Sequence, residues 1–195
     1  QNICFHPKSR RYSPMNYEKT IPLKNGTTLR LRNGTAEDGA AMLDIFMQTH
    51  METDYLLSYP EESSHTVAEE AEYLQKKTDS ENEIEILAFI DGRLAGIAGI
   101  DAVGAKYKVK HRAEFGISIL KEYWGFGIGR ALINACVQCA KEAGYVQLEL
   151  DVVADNTRAI ALYQSVGFQE YGRNPKGFRS KTAGFQELVY MRLEL

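Results

Sequence analysis

Three glycines stand at alternate positions, Gly125, Gly127 and Gly129, in the stretch EYWGFGIGRALINACVQCAKEAG, just before an amphipathic helical pattern. Glycine weakens a helix start because it loses more backbone freedom on folding than other residues. Main-chain amides at a helix start lack partners and carry partial positive charge, so they attract anions. Without side chains, the loop lets a diphosphate approach these amides closely. The pattern favours a phosphate site, and a tight turn that packs helix on sheet is the structural alternative.

Two well-known phosphate loops do not fit this stretch. A dinucleotide site needs G-x-G-x-x-G near the start of a βαβ unit, with an acidic residue ending the next strand. Here the spacing is G-x-G-x-G, two-thirds along the chain and after a hairpin, although Glu149 or Asp151 could supply the acid. A nucleoside triphosphate loop needs Gly-Lys-Ser/Thr, whereas Arg130 and Ala131 follow Gly129. We therefore reject both.

Hydrophobic periodicity and capping signals predict the elements that position this loop. Two capping boxes, Thr35 with Asp38 and Thr66 with Glu69, begin helices, and Asp91-Gly92 marks a hairpin. The predicted strands are 27–33, the two arms of the hairpin, 112–120, 145–153, 168–171 and 185–195, and the later helices end at Gly144 and Gly167. The order β α α β β β α β α β β predicts a mixed α/β sheet.

Composition limits the class of protein. The 195 residues are 44% hydrophobic and 25% charged with net charge −3, which is typical of one globular domain. The balance gives no electrostatic footprint for nucleic acid, and no apolar run is long enough for a membrane span. Three cysteines form no disulfide framework, so we expect a reducing, cytoplasmic location.

The N-terminal stretch QNICFHPKSRRYSP shows neither periodicity nor a long apolar segment. We expect an irregular arm over residues 1–19 and a single domain over 20–195. The arm is either native or a vector-derived leader that precedes a natural start at Met15.

Two motifs together carry a resemblance. The first is the glycine loop Trp124-Gly125-Phe126-Gly127-Ile128-Gly129, and the second combines Asn156, Ala159, Tyr163, Gly167 and Phe168 at the spacing N-x-x-A-x-x-x-Y-x-x-x-G-F. Across Glu114 to Phe168 the chain resembles the GNAT superfamily of acetyl-CoA-dependent N-acetyltransferases, in its small-molecule and ribosomal-protein branch. The resemblance implies a mixed, mostly antiparallel central sheet with flanking helices, splayed apart where coenzyme A binds.

The resemblance also implies a donor site. The pantetheine arm would pair with the main chain of Ile117 and Ile119, and Asn156 would cap its helix and bond the donor. The diphosphate would lie on the loop formed by Trp124, Gly125, Phe126, Gly127, Ile128, Gly129 and Arg130. Trp124 departs from the Arg or Gln usual at its position, so any contact there must come from its main chain or indole.

Catalytic roles follow from the same resemblance. Tyr163 would donate a proton to the departing thiolate or steady the sulfur, with simple packing on the sheet as the structural alternative. Glu114 is the first candidate for the base that deprotonates the amine, and a structural carboxylate is its alternative. Strand alternation places Glu114 and Gly116 on one face, opposite Phe115 and Ile117.

We expect the acceptor to be an unidentified primary amine that attacks the acetyl thioester directly in a ternary complex, without a covalent enzyme intermediate. We expect its pocket between about Asp44–Tyr59 and the loop Gly172–Gly184, with Glu52, Tyr55 and Tyr59 as lining candidates. Small amines, amino acids, aminoglycoside-like drugs and protein N-termini all remain open as acceptors, as does a non-catalytic acyl-CoA-binding module. Relatives often form homodimers, but no contiguous feature of this sequence indicates one.

Other chemistry-bearing residues predict no site. Cys136 and Cys139 lie on the apolar stripe of a helix, which favours packing over redox chemistry. The histidines His6, His50, His65 and His111 lack ligand spacing, so we expect no metal. The cations Arg173, Lys176, Arg179 and Lys181 predict a solvated hairpin tip or a contact for an acidic group.

Overall fold

The computed structural model describes residues 13–23 and 26–195, in which eight strands form one sheet flanked by four helices. Across the sheet the strands follow the order β1-β2-β3-β4-β5-β6-β8-β7. The strands are β1 Glu18–Pro22, β2 Thr28–Asn33, β3 Ile84–Ile90, β4 Arg93–Ala102, β5 Arg112–Ile119, β6 Gln147–Val153, β7 Gln169–Ser180 and β8 Gly184–Glu194. The helices are α1 Gly39–Glu52, α2 Val67–Thr78, α3 Ile128–Ala143 and α4 Thr157–Val166.

Strand pairing confirms the predicted mixed, mostly antiparallel sheet. Among the described strands only β5 and β6 run parallel, and they pair over three residues, Arg112–Glu114 with Gln147–Glu149. The remaining residues of both strands have no partner across this junction, although both strands continue. The sheet therefore divides between β5 and β6 beyond Glu114 and Glu149.

Two apolar layers cover the sheet. On one face, Leu132, Ile133 and Cys136 of α3 pack with β3, β4, β5 and β6, and Tyr163 of α4 belongs to the same buried cluster. On the other face, Met42 of α1 and Leu74 of α2 pack against residues of β3 and β4. Each helix buries one stripe against the sheet, as amphipathic helices do.

Local signals in the sequence are reproduced in the structure. The capping boxes at Thr35 and Thr66 both form. Asp91 and Gly92 have φ of 50° and 80°, the backbone required by a two-residue hairpin turn. Gly144 and Gly167 end α3 and α4 in the left-handed conformation.

Two elements differ from the prediction. The strand β1 pairs antiparallel with β2, and Tyr17 beside it is buried, so residues 17–19 are part of the fold. Its alternation is weak in the sequence because it is an edge strand with four of five residues exposed. The predicted loop Gly172–Gly184 is mostly strand, because β7 continues to Ser180 with register shifts on either side of Asn174. Pro175 is accommodated there because β7 is also an edge strand.

No helix in residues 13–23 and 26–195 has the length and apolar character needed to cross a membrane. Residues 1–12, with most of the predicted arm, lie outside the described residues.

Candidate functional site

The glycine loop uses the conformational freedom of its glycines. Gly125 and Gly127 have φ of 91° and 88°, in the left-handed region where a side chain is strained. Gly129 serves packing instead, because a Cβ there would lie 2.8 Å from Cδ2 of Leu162 in α4. The three glycines therefore have two different roles.

Five main-chain amides of the loop lack an acceptor in the described part of the chain. They belong to Gly125, Gly127, Ile128, Gly129 and Arg130. The amide of Phe126 differs, since it donates to the Tyr123 carbonyl at 3.5 Å. Gly127 is the N-cap of α3 and supplies no side-chain cap, so the dipole of a sixteen-residue helix faces the same point. This arrangement suits a phosphate group.

The main chain of β5 faces the division in the sheet. The amide of Leu120 bonds to Ala95 of β4, so by strand alternation Ile117 and Ile119 direct their main-chain groups away from β4. The carbonyl of His111 accepts from the Val146 amide beside β6, so the odd-numbered residues of this segment direct their main-chain groups toward β6. The groups of Ile117 and Ile119 thus point into the gap, where an extended ligand can pair with them.

Trp124 occupies part of this edge. Its indole Nε1 donates to the Ile119 carbonyl at 2.8 Å, which leaves the Ile119 amide for a ligand. The guanidinium of Arg158 lies over the indole, 5.3 Å from the ring centroid. Arg158 has no carboxylate partner among the described residues and lines the same cleft. The Arg158 guanidinium of α4 therefore lies beside Trp124 in the loop, without a carboxylate partner among the described residues.

The short helix α4 presents two of the predicted residues. The Asn156 side chain accepts from the Ala159 amide at 3.3 Å and so caps the helix, while Asn156 also lines the cleft. Tyr163 is 8% exposed and its ring packs edge-on against Phe115 at 6.3 Å. In the described chain its hydroxyl has no hydrogen-bond partner. Burial raises the pKa of Tyr163 to about 12, so the hydroxyl keeps its proton at neutral pH.

Three carboxylates lie beside the gap on the face of the sheet opposite Tyr163. Glu114 of β5 and Glu149 and Asp151 of β6 alternate with core residues and all line the cleft. Glu149 is held by Arg112, with one bond of 2.6 Å, and by Gln147 at 2.8 Å. Glu114 and Asp151 have no side-chain partner among the described residues. Partial burial, and then the charge of Glu149, raise the pKa of Asp151.

Asp151 is a candidate that the sequence prediction did not assign to catalysis. The alternation in LELDVV already places it on the same face as Glu149, and the mixed sheet places that strand beside Glu114. The sequence does not reveal that Arg112 pairs with Glu149, nor that Asp151 has no side-chain partner among the described residues. Tyr163 and the two free carboxylates therefore meet the gap from opposite faces of the sheet.

The two segments expected to enclose an acceptor do meet. Asp54 accepts from the Tyr59 hydroxyl at 2.8 Å and from Ser180 and Thr182, and the Lys181 amide donates to Tyr59 at 2.8 Å. We call this bridge between residues 54–61 and 180–182 the strap. Tyr55 lines the cleft, whereas Tyr59 is part of the strap.

Glu52 has a structural contact that the prediction did not foresee. Its carboxylate accepts from the Lys121 amide at 2.7 Å, just before the glycine loop.

The four cations predicted at the hairpin tip all contact other side chains. Arg173 pairs with Glu170 and Glu187, Lys181 pairs with Glu61, and Lys176 and Arg179 lie over the Phe185 ring.

The cysteine prediction is confirmed, since Cys136 and Cys139 are free and buried in α3 and burial raises the pKa of both thiols. His50 bonds to the Phe46 carbonyl and His65 to Glu70, both at 2.7 Å. Cys4 and His6 lie outside the described residues. Within residues 13–23 and 26–195, no group of three metal-ligating side chains comes together, and the absence of a metal stays a prediction.

Together these features define a class of site. A cleft of about 1300 Å³ joins the glycine loop, the divided strands, α4 and the carboxylates. Its amides suit a diphosphate, and its strand edge suits an extended arm whose end reaches Tyr163. The fold and the cleft define an α/β domain whose site suits an extended ligand that carries a diphosphate.

Comparison with known proteins gives the family. The acetyltransferase (GNAT) family profile matches residues 44–168, and the chain belongs to this family. The chain is 39% identical over 88 residues to the N-alpha-acetyltransferase RimI of Mycobacterium tuberculosis, covering 45% of this chain and 53% of that protein. It is 33% identical over 81 residues to the [ribosomal protein bS18]-alanine N-acetyltransferase of Escherichia coli, covering 42% and 54%. The chain thus spans about half the length of these curated relatives.

A solved structure extends the likeness to the whole fold. A GNAT-family acetyltransferase from Streptococcus pneumoniae superposes with a TM-score of 0.82 at 29% identity, covering 86% of this chain and 99% of that one. The predicted family and fold class are confirmed.

Proposed function

We propose that the protein is an N-acetyltransferase that moves the acetyl group of acetyl-CoA to a primary amine by direct attack in a ternary complex. The observation that carries this proposal is the divided sheet, with five unpaired amides at one end of the gap and the Tyr163 hydroxyl in its wall. In this assignment the amides hold the diphosphate. Ile117 and the Ile119 amide pair with the pantetheine, and the thioester reaches Tyr163.

Proton transfer uses both faces of the sheet. The amine attacks the thioester carbon from the face of Glu114 and Asp151, one of which takes the amine proton directly or through water. As the new C–N bond replaces the C–S bond, Tyr163 gives its proton to the leaving thiolate from the other face. Placing acid and base on opposite faces keeps them apart, so neither neutralises the other before the reaction.

We propose a small-molecule acceptor in preference to a protein N-terminus. The strap joins residues 54–61 to the hairpin tip through Asp54 and Tyr59, and its neighbours Leu57 and Phe178 line the cleft, so the strap borders the acceptor side. An N-terminal acetyltransferase needs an open groove along which a peptide can lie. One observation supports a protein N-terminus as the acceptor, which is the likeness to relatives named as N-alpha-acetyltransferase and alanine N-acetyltransferase.

The test combines binding and turnover. Calorimetry should show coenzyme A binding to the purified protein, and a thiol reagent should detect coenzyme A release from acetyl-CoA with small primary amines. A panel that includes short peptides with free N-termini separates the two acceptor classes. Binding without turnover on any amine or peptide would identify a non-catalytic acyl-CoA-binding module, and absence of binding would overturn the proposal.

A further inference from the structure

A second cavity, of about 530 Å³, lies on the acceptor face of the sheet, between α1, α2 and the strands β3 to β5. We call it the acidic pocket. Its lining includes the rings of Phe46 and Tyr73 and the carboxylates of Glu70 and Glu85. Carboxylates among aromatic side chains form an environment that suits an organic cation.

Glu85 is the carboxylate on which the binding of a cation in the acidic pocket depends. It is 6% exposed on β3, and Tyr73 donates to its Oε2 at 3.0 Å. In the described chain the other oxygen, Oε1, has no partner, and the residue lines the cavity. This oxygen is not among the fully buried unpartnered atoms of the described chain and is open to the cavity, so a cationic ligand can supply the partner that the fold leaves out.

The neighbouring cation is already engaged elsewhere. Lys77 is buried, and its Nζ donates to the Ile100 carbonyl at 3.1 Å and pairs with Asp101. Burial raises the pKa of Glu85 to about 7, and the charge of Lys77 opposes this only in part. Other titratable groups lining the cavity are His50 of α1, His65 before α2, Glu69, Glu70 and Tyr73 of α2, and Asp101 of β4.

A row of small residues connects Glu85 to the gap. Glu85 pairs with Gly99 across β3 and β4, and Gly99 pairs with Gly116 across β4 and β5. All three are on the same face. The Glu85 carboxylate lies over Gly99, where a Cβ would meet it, whereas a Cβ on Gly116 would meet no described atom within 4 Å. Gly99 thus makes room for the Glu85 carboxylate, and Gly116 leaves a trough that runs from it toward the divided edge of β5.

The trough joins the acidic pocket to the cleft. Gly116, Ile117 and Ser118 line both cavities. From the space above Gly99 to the middle of the gap is about one and a half strand spacings, or roughly 7 Å. Glu85 is at one end of this path, and Glu114 and Asp151 are at the other. A linear molecule with an amine at each end fits both its length and its charge.

We infer that the acceptor is a small diamine, whose reacting amine enters the gap while its second, protonated amine is held in the acidic pocket by Glu85. This inference rests on the proposed acetyltransferase function and names its substrate class. Gly99 makes room for the Glu85 carboxylate, Gly116 keeps the trough open, and Phe46 and Tyr73 line the acidic pocket around the held ammonium.

The test compares 1,5-diaminopentane with pentylamine, which has the same chain and only one amine. For the wild-type protein we expect kcat/KM to be at least tenfold higher for the diamine, because a buried charge-assisted bond is lost with the monoamine. Calorimetry should also show the diamine binding to the protein loaded with coenzyme A, and pentylamine binding more weakly. Equal kcat/KM for the two amines would overturn the inference while leaving the acetyltransferase proposal intact.

Variants locate the second amine. Glu85→Gln keeps an acceptor for the Tyr73 hydroxyl and should lower kcat/KM for the diamine at least tenfold, to the level of pentylamine. It should change pentylamine turnover less than twofold. The matched control is Glu72→Gln, which removes an exposed carboxylate of α2 outside the cavity and should change neither substrate. If Glu85→Gln fails to fold, the wild-type comparison still decides. A diamine preference that survives in folded Glu85→Gln would show that Glu85 does not hold the ammonium.

Discussion

Replacing Gly127 by alanine should separate the cost of backbone strain from the loss of donor binding. Gly127 has φ of 88° at the start of α3, and within the described part of the chain a Cβ there would meet nothing within 4 Å. An L-residue in the left-handed conformation costs about 1–2 kcal/mol. For a chain of this size we therefore expect the melting temperature to fall by about 2 to 8 °C.

Gly144, at the other end of the same helix, is a matched control. Its φ is 84°, and a Cβ there would also meet none of the described residues within 4 Å. Gly144→Ala should therefore lose about the same stability as Gly127→Ala. Its amide, however, donates within the helix end, to the carbonyls of Ala140 and Lys141, and faces no ligand.

Only the variant at the loop should lose affinity for coenzyme A. At Gly127 the new methyl group either occupies the space of the phosphate or shifts the loop amides away from it. Losing one amide bond to a charged phosphate costs about 1.5–3 kcal/mol, which is about tenfold to hundredfold in Kd. Thermal unfolding and calorimetry on both variants provide the comparison. Equal Kd values for Gly127→Ala, Gly144→Ala and the wild type would refute the assignment of the diphosphate to this loop.

Three further predictions test the rest of the cleft. Tyr163→Phe should lower kcat at least tenfold with less than a twofold change in the Kd of acetyl-CoA, because the ring contacts remain and only an unpartnered hydroxyl is lost; unchanged kcat would remove the acid role. A base must be ionised to act, so kcat/KM should rise with pH through its pKa, which is raised for Asp151. Either Glu114→Gln or Asp151→Asn should abolish this rise, and its persistence in both would exclude these two carboxylates as the base. Arg158→Ala should weaken coenzyme A binding about tenfold at low salt and less at high salt, because it removes an unpaired cation beside Trp124; the same Kd as the wild type at low salt would place Arg158 outside the donor site.

Much of the fold was predictable because its signals are local. The capping boxes, the Asp91-Gly92 turn and the helix-ending glycines each depend on a few neighbouring residues, and all are observed. The strand β1 was not predictable from periodicity, because an exposed edge strand has little reason to alternate. The extent of β7 was hidden by Pro175 and the turn-forming residues around it, which an irregular edge strand tolerates.

The candidate site likewise has one part that the sequence predicts and one part that it does not. Gly125, Gly127 and Asn156 could be assigned from spacing because each acts through its own backbone or helix end. The role of Trp124 could not, because its indole bond to Ile119 and its stacking with Arg158 join separate elements.

By itself the sequence determined the strand, glycine loop and helix that present unpaired amides, since those conformations follow from residues adjacent along the chain. Tertiary structure alone decided that β5 and β6 separate after Glu114, and that Tyr163 meets the gap from the face opposite Asp151. It also aligned Glu85 with the glycines of two other strands. Register between distant strands depends on packing of the whole sheet, which no short stretch of sequence encodes.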